Sequence, residues 1–164
     1  MPSDNRQTIE KFYAAFDAKD GEAMAALYAP EAHFYDPVFT DLSGSEPGAM
    51  WRMLTGQAKD LTVKLAEHDE AGARWIAHYT FSQTGNKVVN DVKATFKFDD
   101  AGLIADHVDD FSFYGWAKQA LGAPGLLLGW TPIIKGATRK RARASLDKFI
   151  ADDAQPGPLP DARP

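Results

Sequence analysis

The repeat distance of the apolar residues changes at Leu61, and that change predicts the fold class. Before Leu61 the apolar residues recur every three to four positions, as at Ile9 and Phe12, which is the spacing of one helix face. From Leu61 the apolar residues alternate with polar ones, as at Val63 and Leu65, which is typical of half-buried strands. Three helices followed by long antiparallel strands predict an α+β fold. A curved sheet must cover its apolar concave face, so we expect a cone-shaped sheet packed on the N-terminal helices, with a C-terminal helical extension.

Breaker residues and composition suggest where several elements begin and end. Pro30 is expected to end the second helix, which has Tyr28 as an apolar position, and a short strand should follow up to Asp36. The segment after the sheet is predicted to contain a short helix, a glycine-rich link with an apolar run, and a basic helix, over residues 116–121, 122–134 and 137–151.

The length of 164 residues suits one ordinary domain. We divide the chain into a cone domain over residues 1–116 and a helical extension over residues 117–151. The extension is expected to pack on the core or on a dimer partner. Residues 152–164 contain four prolines and are expected to be a disordered tail.

The composition excludes several classes of function. The chain has no cysteine, which excludes disulfides, thiolate nucleophiles and zinc-finger ligand sets. Residues 1–134 hold 11 Lys/Arg against 19 Asp/Glu, and this acidic balance argues against nucleic acid as a partner. We see no signal-peptide core at the N-terminus and no apolar run long enough to span a membrane. We therefore expect a cytoplasmic protein.

Two aspartates are the strongest candidates for chemistry. Asp36 is predicted to point to the same side of its strand as Phe34, and Asp109 to the same side as Phe111 and His107. A carboxylate that faces an apolar concavity is costly to ionise, so its pKa is raised toward the range that a general acid or base needs. The alternatives are that Asp36 caps a turn and that Asp109 is solvated at the mouth of the cone. His107 could act beside Asp109, join both aspartates around a metal, or serve only as a hydrogen-bonded residue; no metal is favoured.

Aromatic residues of the same faces are expected to line a pocket for a small apolar molecule. Asn90 interrupts an apolar strand face and is a candidate hydrogen-bonding residue, or a core amide satisfied by the backbone. The candidate lining residues are Phe12, Phe16, Phe34, Trp51, Trp75, Tyr79, Asn90, Phe96 and Phe111.

Three short segments and the strand pattern resemble a known superfamily. Residues 12–16 (FYAAF), 27–32 (LYAPEA) and 35–38 (YDPV), together with residues 107–109 (HVD), are similar to the nuclear-transport-factor-2-like superfamily, in its SnoaL-like and ketosteroid-isomerase-like branch. The resemblance covers about residues 5–116 and implies the cone fold. The superfamily hosts isomerases, cyclases, dehydratases, epoxide hydrolases and non-enzymes, so the resemblance implies no single reaction.

The comparison with the isomerases implies a base but not the groups that assist it. The base aspartate of those enzymes matches Asp36. The two donors of their oxyanion hole fall on Phe12 and Ala94, neither of which has a hydrogen to donate there. The resemblance therefore argues against steroid isomerisation by the usual route.

The hydrolase and cyclase members of the superfamily share one catalytic residue type with this chain, an aspartate on the last strand. The final aspartate of the limonene-epoxide-hydrolase-like members, and the acid/base aspartate of the SnoaL-like cyclases, match Asp109. The arginine and the other aspartate of the hydrolase set fall on Trp75 and Ala77, and its water-holding pair falls on Phe34 and Asp36. The hydrolase set is therefore incomplete.

These patterns predict a binding protein for a small apolar molecule that needs no cofactor. Its leading function is acid/base chemistry of the isomerase, cyclase, dehydratase or hydrolase type on a polyketide-, terpenoid- or steroid-like substrate. We expect Asp36 to act as the base, and Asp109 with His107 to act as an acid or a water-positioning pair. The alternative is a non-catalytic ligand-binding or scaffolding protein of the same fold. We also expect a homodimer through the exposed sheet face. The C-terminal extension is expected to pack on protein rather than to contact a membrane, which is the alternative for it.

Overall fold

The structure, a computed structural model, describes residues 4–154 and has the α+β architecture that the sequence predicts. Its elements, in chain order, are α1 (Asn5–Asp17), α2 (Gly21–Ala25), β1 (Tyr28–Tyr35), β2 (Leu42–Ser43), α3 (Glu46–Gln57), β3 (Thr62–His68), β4 (Gly72–Thr80), β5 (Lys87–Phe98), β6 (Ile104–Asp110), α4 (Phe113–Ala120), α5 (Ala123–Leu128) and α6 (Pro132–Asp153).

The six strands form one curved, unclosed sheet in the order β2-β1-β6-β5-β4-β3. Four of the five pairings are antiparallel, whereas β1 and β6 run parallel, with Phe34 opposite His107 and Tyr35 opposite Val108. The long chain segment between β1 and β6 allows this parallel pairing. One residue further along each strand come Asp36 and Asp109, so the register of β1 and β6 places these two candidate residues next to each other.

Helix α1 begins after the N-cap residue Asp4 and packs its aromatic face on the sheet. The Gln7 backbone N–H donates to the Asp4 carboxylate at the N-cap. Ile9, Phe12 and Phe16 are buried in the main core. The aromatic spacing of the first helix is thus accounted for by packing against the inner face of the sheet.

The boundary between α2 and β1 differs from the prediction. Helix α2 ends at Ala25, and Tyr28 already belongs to β1, where it pairs with Ile104 of β6. Pro30 lies within β1, between Tyr28 and His33, where the register of the pairing shifts. A strand tolerates a proline at such an irregularity because no ladder hydrogen bond is required of its nitrogen. The spacing of the apolar residues here fits a helix, but long-range pairing with β6 determines a strand.

The predicted glycine-rich link contains a helix, and the basic helix is longer than expected. Helix α5 packs backbone to backbone on α4, since a Cβ on Gly125 would lie 1.9 Å from the carbonyl oxygen of Ala117. Helix α6 begins at Pro132 after the N-cap Thr131 and continues to Asp153, into the segment for which we predicted disorder. The rest of that segment, residues 155–164, lies outside the described residues. None of the helices between residues 4 and 154 has the length and hydropathy of a transmembrane segment.

Helix α6 packs on the cone of its own chain. Leu146 is completely buried in the main core, and Ala142, Phe149 and Ile150 pack against that core. Arg143 forms ion pairs with Glu46 of α3 and with Asp147 of its own helix. These contacts make α6 part of the fold rather than a separate appendage.

We therefore expect Leu146→Ala to lower the free energy of unfolding by about 2–5 kcal/mol, because it leaves a cavity in the core. Chemical denaturation followed by circular dichroism measures this change. Leu127→Ala is the matched control, because Leu127 is 67% exposed and its truncation should change stability by no more than about 0.5 kcal/mol. Equal stability of the two variants would show that α6 does not contribute to the core.

Candidate active site

A cavity of about 830 Å³ lies between the inner face of the sheet, α3 and α6. Its wall contains Trp51 of α3, Trp75 and Tyr79 of β4, and Phe111 after β6, and α6 covers it with residues between 137 and 145. The volume is in the range of pockets that bind drug-sized molecules, and the lining is mainly apolar. The site can therefore hold a compact apolar body of several fused rings.

Asp36 lies at the end of β1 and borders this cavity. The backbone N–H groups of Val38 and Phe39 donate to its Oδ1 at 2.7 and 2.6 Å. Within residues 4–154 nothing donates a hydrogen bond to Oδ2. The turn after β1 therefore holds the carboxyl group in place through one oxygen and leaves the other available to a ligand.

The surroundings of Asp36 raise its pKa from 3.8 to about 7. The main cause is burial, which disfavours the charged form, and the neighbouring Asp109 adds to it. The N–H groups of Phe39 and Val38 and the guanidinium of Arg139 act in the opposite direction. The side chain is partly buried and retains some solvent access. Both protonation states of Asp36 are therefore populated near neutral pH.

Asp109 belongs to a buried hydrogen-bond network that connects the sheet to α3. The His107 Nε2 lies 2.9 Å from Asp109 Oδ1, and the Trp75 Nε1–H donates to the same oxygen at 3.4 Å. On the other side of the ring, His107 Nδ1 lies 2.7 Å from the Tyr28 hydroxyl, to which the Trp51 Nε1–H donates at 2.8 Å. Asp109 also borders the cavity, so a ligand there can reach its carboxyl group.

The directions of these hydrogen bonds follow from the donors available. The indole N–H of Trp51 can only donate, so the Tyr28 oxygen accepts it and Tyr28 directs its own proton to His107 Nδ1. Burial raises the pKa of Tyr28 well above its ordinary value, so this proton stays on the hydroxyl. Neutral His107 then carries its proton on Nε2 and donates it to Asp109.

His107 itself is completely buried and does not border the cavity, which corrects our expectation that it acts directly on a ligand. Its ring packs against those of Phe12, Phe34 and Phe96, with centroid distances of 5.5, 5.0 and 4.2 Å. These three aromatic residues were expected to line the pocket, but they enclose the histidine instead. Alternation along a strand assigns a side chain to the inner face of the sheet, but it does not determine how far that side chain lies from the cavity.

The other candidate residues do border the cavity, and the two aspartates border the same one. The lining residues among our candidates are Asp36, Asp109, Phe16, Trp51, Trp75, Tyr79, Asn90 and Phe111. No three His, Cys, Asp or Glu side chains among residues 4–154 are arranged to hold a metal ion. The structure thus brings the two carboxyl groups together and places His107 behind one of them.

Sequence reasoning missed two contributors to the site. Tyr28 was assigned to a helix face, although it is the residue that determines the His107 tautomer. The cavity wall also includes Lys140 and Arg141 of α6, although none of our candidate residues came from this helix. Both depend on contacts between distant segments, such as Tyr28 with His107 and Arg141 with Gln83, and no local pattern in the sequence indicates such contacts.

The raised pKa of Asp36 predicts a pH dependence of stability. Between pH 4 and 7 the folded state keeps a proton on Asp36 that the unfolded state has already released, so raising the pH across this window destabilises the fold. Asp36→Asn removes this effect and still offers an oxygen to Val38 and Phe39. We expect its stability relative to the wild type to increase by at least about 2 kcal/mol between pH 4 and 8, the direction set by the raised pKa of Asp36. Chemical denaturation at the two pH values measures it, and a constant difference would contradict the prediction.

An open six-stranded sheet with helices over its inner face and a cavity between them defines a cone-shaped protein of the nuclear-transport-factor-2-like type. The family model of the SnoaL-like domain matches residues 9–107, and the chain belongs to that family. The matched segment ends at His107, so Asp109 and helices α4 to α6 lie beyond it. A comparison with curated protein sequences gives no match.

Solved structures agree on the fold at low sequence identity. A polyketide cyclase-like protein from Xanthomonas campestris pv. campestris has a TM-score of 0.55 at 20% identity over 70% of this chain and 95% of that one. A Mycobacterium tuberculosis protein in complex with estradiol-17β-hemisuccinate has a TM-score of 0.56 at 21% identity over 67% and 95% of the two chains. The epoxide hydrolase/cyclase-like enzyme SalBIII, of pyran ring formation in the polyether salinomycin, has a TM-score of 0.56 at 14% identity over 66% and 90%. These likenesses establish the cone fold.

Proposed function

We propose that this protein binds a small apolar molecule in the cavity and carries out acid/base chemistry on it without a cofactor. The observation that carries the proposal is that two aspartates from distant parts of the chain border one apolar cavity of about 830 Å³. Isomerisation, cyclisation, dehydration and hydrolysis are all catalysed by moving a proton to or from a reacting atom, which a carboxyl group can do. The proposed substrates are polyketide-, terpenoid- or steroid-like molecules.

Asp36 is the proposed proton acceptor. A pKa of about 7 gives a carboxylate that is basic enough to remove a proton from a weakly acidic C–H or O–H group. Its Oδ1 is held by two backbone N–H groups, so Oδ2 is the atom that would receive the proton. The same group, once protonated, can return the proton to another ligand atom.

Tyr79 is the proposed hydrogen-bond donor to the negative charge that develops on the ligand. The Trp116 Nε1–H donates to the Tyr79 oxygen at 2.9 Å, which leaves the tyrosine proton for a ligand in the cavity. Burial and the nearby Asp36 raise the pKa of Tyr79, which keeps the hydroxyl protonated. This donor compensates for the two positions, Phe12 and Ala94, at which the resemblance to the isomerases leaves no donor.

Asp109 is the proposed second polar group of the site, and His107 is a positioning residue. The imidazole N–H and the Trp75 indole N–H hold Asp109 Oδ1, so the carboxyl group has a defined orientation at the cavity wall. An oriented carboxylate opposite an acid or base can position a water molecule or a ligand hydroxyl. Ligand binding by the mycobacterial neighbour, which holds a steroid derivative, supports the apolar character of the substrate.

The proposal is tested with 2-tetralone, a small bicyclic ketone whose α-hydrogens are weakly acidic. Loss of the α-proton signals in D2O, followed by NMR, measures C–H proton removal, and quenching of tryptophan fluorescence measures binding. We expect saturable exchange well above the buffer-catalysed rate, competed by a larger steroid ligand such as estradiol. Binding of 2-tetralone without exchange above the buffer-catalysed rate would instead support the non-catalytic ligand-binding alternative. Absence of both binding and exchange would contradict the proposed function for carbonyl compounds.

A further inference from the structure

The end of α5 and the beginning of α6 expose an unusual number of large apolar side chains. Leu126, Leu127, Leu128, Trp130 and Ile133 are each between 50% and 80% exposed. They fall within eight consecutive residues, and we call them the 126–133 patch. A solvent-exposed surface with so many leucine, isoleucine and tryptophan side chains close together indicates a site of interaction.

The chain segment that carries the 126–133 patch has charges of one sign in its sequence. Residues 111–146 contain six Lys or Arg and no Asp or Glu, although the whole chain carries a net charge of −5, so the remaining residues carry −11. Lys118 and Lys135 lie on the two sides of the patch in sequence, each with its ammonium group over an aromatic ring, that of Tyr114 and that of Phe113. An apolar patch inside an exclusively cationic segment complements a surface that is apolar inside and anionic outside.

The patch also adjoins the cavity. Ile134 follows it directly and borders the cavity, as do Leu121 before it and Trp116 of α4. A ligand that leaves an apolar environment at the 126–133 patch would therefore reach the cavity without crossing a long polar surface. The continuity favours a source of apolar small molecules over a folded protein as the partner of this surface.

We propose that the 126–133 patch docks the protein on the surface of an anionic lipid bilayer. The leucine, isoleucine and tryptophan side chains enter the boundary between headgroups and acyl chains, and the surrounding cations attract the anionic headgroups. Short apolar segments with tryptophan and flanking cations bind bilayers in this interfacial manner. The proposal does not depend on the chemistry of Asp36, since docking requires only the surface of α5 and α6.

Sedimentation with vesicles of phosphatidylcholine containing about 30 mol% phosphatidylglycerol tests the proposal on the full chain. We expect the protein to bind these vesicles, to bind pure phosphatidylcholine at least about fivefold more weakly, and to dissociate as salt is raised. Leu127→Ser with Ile133→Ser should weaken binding about tenfold or more, because two inserted side chains are lost. Val89→Ser is the matched control: Val89 is 47% exposed but lies on the outer face of the sheet.

Trp130 provides a second readout of insertion. Of the four tryptophans, Trp51, Trp75 and Trp116 are buried, whereas Trp130 is 73% exposed. Lipids with brominated acyl chains should therefore quench the fluorescence of the wild type, and Trp130→Phe should abolish the quenching while the protein still sediments with vesicles. Unchanged thermal unfolding of all variants shows that they are folded.

Two results would overturn the proposal. One is equal vesicle binding by the wild type and the Leu127→Ser/Ile133→Ser variant. The other is absence of vesicle binding together with concentration-dependent self-association that the double substitution removes, which would identify a second copy of this chain as the occupant of the patch. Either result leaves the exchange of 2-tetralone unaffected, so docking and the proposed acid/base function are tested separately.

Discussion

Replacing Asp36 with asparagine is expected to lower the rate of 2-tetralone exchange by about 10²–10⁴-fold, because the amide cannot accept the proton. Asparagine retains an oxygen for the N–H groups of Val38 and Phe39, so the turn after β1 should persist. Binding, measured by tryptophan quenching, should change by less than about threefold if the apolar wall supplies most of the affinity. The exchange rate at saturating 2-tetralone therefore tests whether Asp36 is the proton acceptor.

The control for this prediction is Tyr79→Phe, which removes a donor but leaves the base. It is expected to lower the exchange rate by about 10²–10³-fold, as for the loss of one donor to a developing oxyanion, without shifting the pH midpoint of the rate. The wild-type rate should rise with pH and reach half its maximum near pH 7, where Asp36 loses its proton. Exchange in Asp36→Asn at the wild-type rate would contradict the assignment of the base.

Replacing His107 with alanine is expected to lower the free energy of unfolding by about 3–5 kcal/mol. The substitution removes the closest hydrogen-bond partner of Asp109 Oδ1 and the acceptor of the Tyr28 proton, both in the protein interior. It also leaves a void among the surrounding aromatic rings, which adds to the cost. Chemical denaturation of the purified variant measures the change.

His68→Ala is the matched control for His107→Ala. His68 also contacts a carboxylate, Glu10, at 2.8 Å, but Glu10 is solvent-exposed, and the loss should cost no more than about 1 kcal/mol. The double variant His107→Ala/Asp109→Ala should lose less free energy of unfolding than the sum of the two single variants. The reason is that the second substitution removes the carboxylate that the first leaves without its partner. Strict additivity would show that the two side chains are not energetically coupled.

The sequence predicts the architecture of the cone because its periodicity is local information. The alternation that places Asp36 with Phe34, and Asp109 with Phe111, is enough to direct both aspartates to the inner face of the sheet. What alternation cannot supply is the position of a side chain along the cone. His107 has the inward orientation that we predicted but lies behind Asp109, and Tyr28 completes its network from a segment that we assigned to a helix.

For the C-terminal extension, too, the local sequence pattern predicts the type of element but not its position in the fold. Its helical character follows from composition, but its place over the cavity depends on Leu146 and on the pairing of Arg143 with Glu46, which lies almost 100 residues earlier. The exposure of the 126–133 patch also depends on this placement, since an apolar run in a sequence is typical of a core as much as of a surface. Local patterns predict the elements, whereas contacts between distant segments determine what those elements enclose.

Asp36 and Asp109 border the same apolar cavity, and this is the claim on which the proposed function rests. The pKa of the Asp36 carboxyl group in the folded protein tests it most directly. Carbon-13 NMR titration of the wild type and of Asp109→Asn measures it. We expect a pKa of about 7 in the wild type and a lower pKa in Asp109→Asn, because the nearby carboxyl charge is removed. A pKa near 3.8 that does not respond to Asp109→Asn would place the two groups in separate, solvated environments and contradict the account.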